Sequence, residues 1–248
     1  MIKERPIPFS APMVRALLDG TKTQTRRVVK IHPSDDAFVL LDRGTGWWPY
    51  RSDDGESEVM NDGNERPYTC PYGQPGNRLW VRETCRAEEL ESGLDGVRYL
   101  ADSHFRPIND TPGDAIQWMH MNAYGARDGA NVPSIHMPRW ASRILLEIVS
   151  VRVERLKEIS EADADAEGCE RLDSERTDRD MKLCPTCGGT GLHAVLGGNG
   201  GVIPDCDCRD CDTYVKRYKH LWEAINGPGS WDENPWVWVV EFKIVEEG

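Results

Sequence analysis

The chain has 248 residues, enough for one large domain or a smaller one carrying insertions, and long enough to bury a core without disulfide staples. Its net charge of −12 argues against a general nucleic-acid coat, because non-specific affinity for phosphates comes from Lys and Arg. No apolar run approaches the length of a membrane span, and the N-terminus lacks the apolar stretch of a signal peptide; a cytoplasmic protein without a membrane partner is expected.

The charge is uneven. Residues 1–30 hold Lys3, Arg5, Arg15, Lys22, Arg26, Arg27 and Lys30 against Glu4 and Asp19, a net of +5 beside −17 for the rest. A local basic site on an acidic body suits one nucleotide or a short strand better than a long duplex. Hydrophobic residues make up only 39%, which implies long polar loops. Nine Trp stand against four Phe, and Trp serves either as a large core side chain or as a stacking surface for flat ligands.

Taken in chain order, residues 5–9 read as a short edge strand, since Pro6 and Pro8 exclude a central one. Ser10 then caps a helix over 11–19 with Pro12 in its first turn; Met13, Val14, Leu17 and Leu18 form its apolar face, and Gly20 ends it in a left-handed cap. Residues 21–30 follow as a turn running into a β-branched strand. Residues 31–76 are polar, carry Trp47 and Trp48, and read as an inserted loop or loose hairpin.

Gly76-Asn77 is a turn signal before a strand at 79–83. Between 86 and 134 only a strand at 97–101 stands out. Residues 143–154 form the clearest strand of the chain. Ser160 caps a second helix, with Asp163 as an imperfect capping-box partner and Gly168 at its end. Residues 170–182 are a mixed-charge linker. Tyr214, Tyr218, Leu221, Trp222 and Ile225 mark an amphipathic helix that Gly227-Pro228 stops, and 236–245 close the chain as a core strand. Short strands separated by a few helices predict an α+β fold built on a small mixed barrel.

The cysteines carry the sharpest local signal. Cys184-Pro-Thr-Cys187 and Cys208-Arg-Asp-Cys211 are two CxxC pairs twenty residues apart, the spacing of a closed four-thiolate zinc site. Such a site leaves no open coordination position, so the expected zinc is structural. A disulfide or plain reduced thiols are the alternatives, and Cys206 competes with Cys208 for the third position; Cys208 is preferred because only it forms a CxxC with Cys211. Cys70, Cys85 and Cys169 have no such spacing.

Thr21-Lys22-Thr23-Gln24-Thr25-Arg26-Arg27 puts three hydroxyls, one amine and two guanidinium groups just past a helix end. Taken bare, this is a phosphate or anion site, or simply a solvated strand start. The run Leu18 to Arg27 resembles the (I/L)xxGxKTxTxR signature of ASCH domains. Gly76-Asn77-Arg78-Leu79-Trp80-Val81-Arg82-Glu83 resembles the same family's G-D-x-L-x-V-x-E strand, with Asn where Asp is usual, and Trp238–Lys243 resembles its final strand. The likeness covers the first 30 residues and roughly 76–85, 135–170 and 213–245, and is closest to ASCH-type proteins of bacteriophages and prophages.

That resemblance implies a PUA-like β-barrel with flanking helices, formed by 1–170 and 213–248 with insertions at about 31–75 and 86–134, and a zinc knuckle in an inserted 171–212. It implies a nucleoside or nucleic-acid ligand. One small bacterial family member is an amidohydrolase that removes the acetyl group of N4-acetylcytidine with a Lys, a Thr and a Glu. These fall on Lys22, Thr25 and Glu167, with Thr23, Arg26, Arg27, Arg82, Glu83 and Trp140 as expected substrate contacts. The alternative is a non-catalytic reader of RNA, DNA or a modified nucleotide. His136, beside Arg139 and Trp140, is either a pocket residue or a structural His.

Overall fold

In the computed structural model, which describes residues 2–30, 38–42, 47–51, 66–67, 69–109, 111–169, 184–188, 192–198 and 200–245, the chain divides into two compact units. The first comprises Met1–Gly20, Pro71–Val149 and Phe242–Gly248; the second comprises Thr21–Cys70 and Ser150–Glu241. The elements, in chain order, are β1 (Glu4–Pro8), α1 (Ala11–Leu18), β2 (Gln24–Val28), β3 (Phe38–Asp42), β4 (Trp47–Arg51) and β5 (Arg66–Pro67). There follow β6 (Arg78–Arg82), β7 (Cys85–Glu89), β8 (Asp95–Tyr99), β9 (Phe105–Pro107), α2 (Pro112–Asn122) and β10 (Leu145–Arg155). The chain ends with α3 (Glu161–Ala166), β11 (Leu192–Leu196), β12 (Val202–Asp207), α4 (Tyr214–Asn226) and β13 (Trp236–Ile244).

In the first unit, β1 pairs in parallel with β6, and β6 pairs antiparallel with the start of β10. β1 is an edge strand, as its two prolines require, because neither can donate to a ladder. In β6, Leu79, Trp80 and Val81 are all buried, with Arg78 and Arg82 partly so at its ends. Helix α1 begins after Ser10, but the Ser10 hydroxyl makes no capping bond; Gly20 takes the expected left-handed φ of +76°. Val14 and Leu17 are buried whereas Leu18 is exposed, so the apolar face is narrower than the sequence suggested.

Between 85 and 122 the structure is richer than expected. β7, β8 and β9 form a three-stranded antiparallel sheet, and α2 follows with Thr111 accepting from the Asp114 N–H. β7 was missed because its inward residues, Cys85 and Ala87, are small, and they alternate with Arg86 and Glu88. They pack with Val97, Tyr99, Met121, Val132, Met137 and Ala141 into one core cluster.

In the second unit, β2 pairs antiparallel with β13, which neighbours β10. β3, β4 and β5 form a separate three-stranded antiparallel sheet within 31–76, where the sequence suggested a loop or a loose hairpin. The Trp47 and Trp48 side chains and the linker 170–182 lie outside the described residues. Helix α3 is capped by Ser160 and closed by Gly168 at φ +79°, and α4 stops at Gly227, as read from the sequence; its Thr213 cap was not read there. β11 and β12, which the sequence did not signal, form a hairpin between the two CxxC pairs. The described sheets are open, so the fold is α+β without barrel closure among the described residues. No described helix is long and apolar enough to cross a membrane.

Candidate functional site

The basic segment after α1 leads directly into a buried ion cluster in the second unit. Lys22 forms a bridge with Glu167, and the Thr23 N–H donates to the Ala166 carbonyl at 2.9 Å, docking the strand entry on the end of α3. The Lys22 ammonium donates to the Glu167 carbonyl oxygen at 2.9 Å and to Glu167 Oε2 at 2.8 Å. The two side chains are 0% and 2% exposed. Glu167 Oε1 accepts from Arg26 Nη1 at 3.2 Å, so one carboxylate answers two cations.

Strand alternation extends the cluster. Gln24 and Arg26 point from β2 toward α3 and β10: Gln24 Nε2 donates to the Asp163 carbonyl at 2.6 Å, while Arg26 reaches Glu154 Oε1 through Nε at 3.0 Å and Nη2 at 2.5 Å. Arg152 donates to Glu154 Oε2 at 3.1 Å and Asp163 Oδ1 at 3.0 Å, and also meets Glu241. Three cations thus face four carboxylates. Burial opposes the Arg26 charge, but Glu167 and Glu154 outweigh it and raise its pKa. Burial likewise works against the Asp163 carboxylate, yet the Ser160 hydroxyl, Arg26, Gln24 and Arg152 together hold it below its ordinary value. Tyr218 of α4 lies with its ring 6.0 Å from the Arg26 guanidinium; burial, and then Glu167, keep it a neutral phenol.

Of the three residues expected to act together, Lys22 and Glu167 meet. Thr25 is equally buried, but it sits between Gln24 and Arg26 and so faces the other side of β2, opposite Val240. No hydrogen bond joins its hydroxyl to Lys22 or Glu167 among the described residues. Arg27, half-buried, shares that second face and stands opposite Trp238; Thr23 is exposed. Sequence reading missed Arg152, Glu154 and Asp163. The first two were detectable, because Arg152-x-Glu154 interrupts a β-branched strand at period two, placing opposite charges on one face.

The remaining expected contacts belong to the first unit. Glu83 is buried and bound by Arg143 at 2.8 and 2.9 Å, and Arg143 also grips Asp102 at 2.8 and 2.9 Å. Its guanidinium lies 4.1 Å above the Tyr99 ring. Burial pushes the Glu83 carboxyl up against the pull of Arg143. Arg82 lies over Trp80 at 4.6 Å and donates to the Ile135 carbonyl. Trp140 is half-buried against the core cluster and offers its carbonyl to Arg106. His136 is exposed, 5.7 Å from the Tyr124 ring.

Cys184, Cys187, Cys208 and Cys211 form the second site. Their four sulfurs lie within 4.8 Å of one another, with Cys184–Cys208 at 3.7 Å and Cys187–Cys211 at 3.3 Å. All four are free thiols, and a disulfide would need about 2.05 Å. A tetrahedral ion with bonds of about 2.3 Å separates its sulfurs by about 3.8 Å, so the quartet fits a metal ion. Burial and the adjacent thiols push the Cys211 thiol up, so four thiolates share this space only around a cation. Cys208 holds the third position; the Cys206 side chain lies outside the described residues. Compared with family models, with curated proteins and with solved structures, the chain matches none of them.

Proposed function

We propose that the chain is an ASCH/PUA-like amidohydrolase that removes an acyl group from the exocyclic amine of a modified nucleoside, and that its sheets belong to the small barrel of that family. The observation that carries this reading is the buried Lys22–Glu167 pair at 2.8 Å, formed by two residues 145 positions apart that the family resemblance singles out. The helix–Gly20–β2 order and the strands β6 and β13, each where a motif expects one, support the fold.

The Lys22–Glu167 pair sets a proton donor against an acceptor at 2.8 Å, the arrangement a proton relay needs. The pair would take up the proton of an attacking water held beside it; Thr25, on the opposite face of β2, would serve as nucleophile only if the strand entry rearranges to bring its hydroxyl to Lys22. The new C–O bond forms, the amide C–N bond breaks, and the proton passes through Lys22 to the departing amine. Where Thr25 attacks, a water then releases the acid from it. Arg27, on the Thr25 face, would stabilise the oxyanion.

The second reading is a non-catalytic reader of a modified nucleotide or short RNA or DNA. It is favoured by the Thr25 hydroxyl facing away from the pair. The ion in the four-Cys site is, on either reading, a structural zinc.

Incubation with a panel of acylated nucleosides, with products read by mass, tests the choice. Hydrolysis that is lost in Glu167→Gln while the nucleoside still binds supports the enzyme. Tight, salt-dependent binding of short RNA or DNA without turnover supports the reader.

A further inference from the structure

Helix α4 touches both sites of the second unit. It starts three residues after Cys211, and its first turn is tied to the knuckle: Arg217 Nε donates to the Cys211 carbonyl at 2.9 Å, and Lys216 Nζ to the Arg209 carbonyl at 2.7 Å. One turn on, Tyr218 lies beside Arg26 of the ion cluster.

The start of α4 is also held from outside. A helix leaves its first four N–H groups without intrahelical partners, and Thr213 satisfies only the Lys216 N–H here. The Tyr214 and Val215 N–H groups are taken by the Glu161 carboxylate, at 2.7 and 3.4 Å. Glu161 is the first residue of α3, whose following residues hold Gln24 and Arg26 through Asp163, Thr23 through Ala166, and Lys22 and Arg26 through Glu167. A carboxylate at a helix N-terminus is favoured by the helix dipole as well as by its hydrogen bonds. α3 and α4 pack together along this join.

We propose that metal occupancy of the four-Cys centre sets the geometry of the Lys22–Arg26–Glu167 cluster through the first turn of α4, with Glu161 as the positioning residue that carries the link to α3. The proposal rests on the reading of the quartet as a metal site and is independent of what the cluster acts on. Loss of the ion frees the Cys211 carbonyl and the residues before Thr213, the α4 N-terminus loses its fixed place, and the Glu161 cap goes with it. The amides of α3 and of residues 22–28 then open more often.

The test uses zinc alone as probe. Zinc affinity is first measured by competition with a chromophoric chelator; failure to bind one ion per chain overturns the metal reading and the proposal with it. Segment-resolved hydrogen exchange of the zinc-loaded and zinc-free full chain follows. Removal of zinc is expected to speed exchange at least tenfold in 161–167 and 22–28 as well as in 184–211. In Glu161→Gln the zinc-loaded protein should already exchange fast in 161–167, and zinc removal should add less than threefold there. Glu161→Asp, which keeps the carboxylate, should restore most of the wild-type response. Because Glu161 is exposed, its variants should keep the global urea stability of the wild type to within a small shift. If binding is intact but faster exchange stops at the first turn of α4, or Glu161→Gln responds to zinc as wild type does, the proposal is wrong.

Discussion

Replacing Glu167 by Gln tests the buried ion cluster most directly, because Gln keeps the volume and removes only the charge. Lys22 then loses the Glu167 carboxylate, at a position where its side chain is 0% exposed. Arg26 loses one partner but keeps Glu154 and Asp163. Breaking a buried pair by removing one partner costs about 3–5 kcal/mol, since the surviving charge stays desolvated. That is a large share of the roughly 5–15 kcal/mol by which domains are stable. The second arm replaces Lys22 by Met together with Glu167→Leu, exchanging the pair for apolar side chains. With no orphaned ammonium, this variant should recover at least about 2 kcal/mol relative to the sum of the two single changes. Urea unfolding followed by circular dichroism reads Glu167→Gln, the single changes Lys22→Met and Glu167→Leu, and the double variant. A cost for Glu167→Gln of less than about 1 kcal/mol, the range of exposed ion pairs, would refute the reasoning, as would strict additivity of the single changes.

Further outcomes are expected elsewhere in the molecule. Cys208→Ser should abolish stoichiometric zinc binding and Cys206→Ser should leave one ion per chain, as read by mass spectrometry under native conditions. Glu83→Gln removes the Glu83 charge but leaves Arg143 on Asp102, and burial already disfavours that carboxylate; at a cost of about 1 kcal/mol it should lower the Tm by about 2–4 °C in calorimetry. The Asp163 carboxyl titrates below its ordinary value of 3.8, so the unfolded chain takes up that proton first as the pH falls. The stability difference between wild type and Asp163→Asn should be full above pH 3.8 and should shrink as the pH drops through the lower folded value. Paired urea titrations from pH 7 to pH 3 check the sign.

How much could be read from the chain depended on whether the signal was local. Caps and stops are local chemistry, and so the ends of α3 and α4 fell where Ser160, Gly168 and Gly227 put them. The two CxxC pairs bring their own geometry, and the four sulfurs converge as the spacing predicts. The sheet of β7 to β9 was illegible because Cys85 and Ala87 bury little surface each, so their alternation with charged residues looked like a polar loop. Ser10 shows the limit of cap rules: it stands at the cap position with the right backbone, yet its hydroxyl does not bond the helix. In the ion cluster, Lys22 and Glu167 were found through family likeness alone. Nothing in their neighbourhoods along the chain points from one to the other across 145 residues.

The cluster also changes what the basic N-terminal segment means. A net of +5 over 30 residues reads as an anion-binding surface, but charge count and charge exposure are different quantities. Lys22 and Arg26 are buried and turned inward to Glu154, Asp163 and Glu167, while Arg5 and Arg15 donate to the Pro71 and Ala101 carbonyls. The two cations nearest the proposed chemistry are therefore already neutralised by protein carboxylates, and they release no counterions when a phosphate backbone approaches. On the acidic body around them, long-range attraction for a polyanion is weak. On the proposed reading, the ligand at this cluster is selected by close contact with an uncharged group, as a free acylated nucleoside would be. The salt dependence of binding separates the two: a nucleoside site of this kind should show a slope near zero, whereas a strand held through several phosphates should lose affinity steeply with added salt.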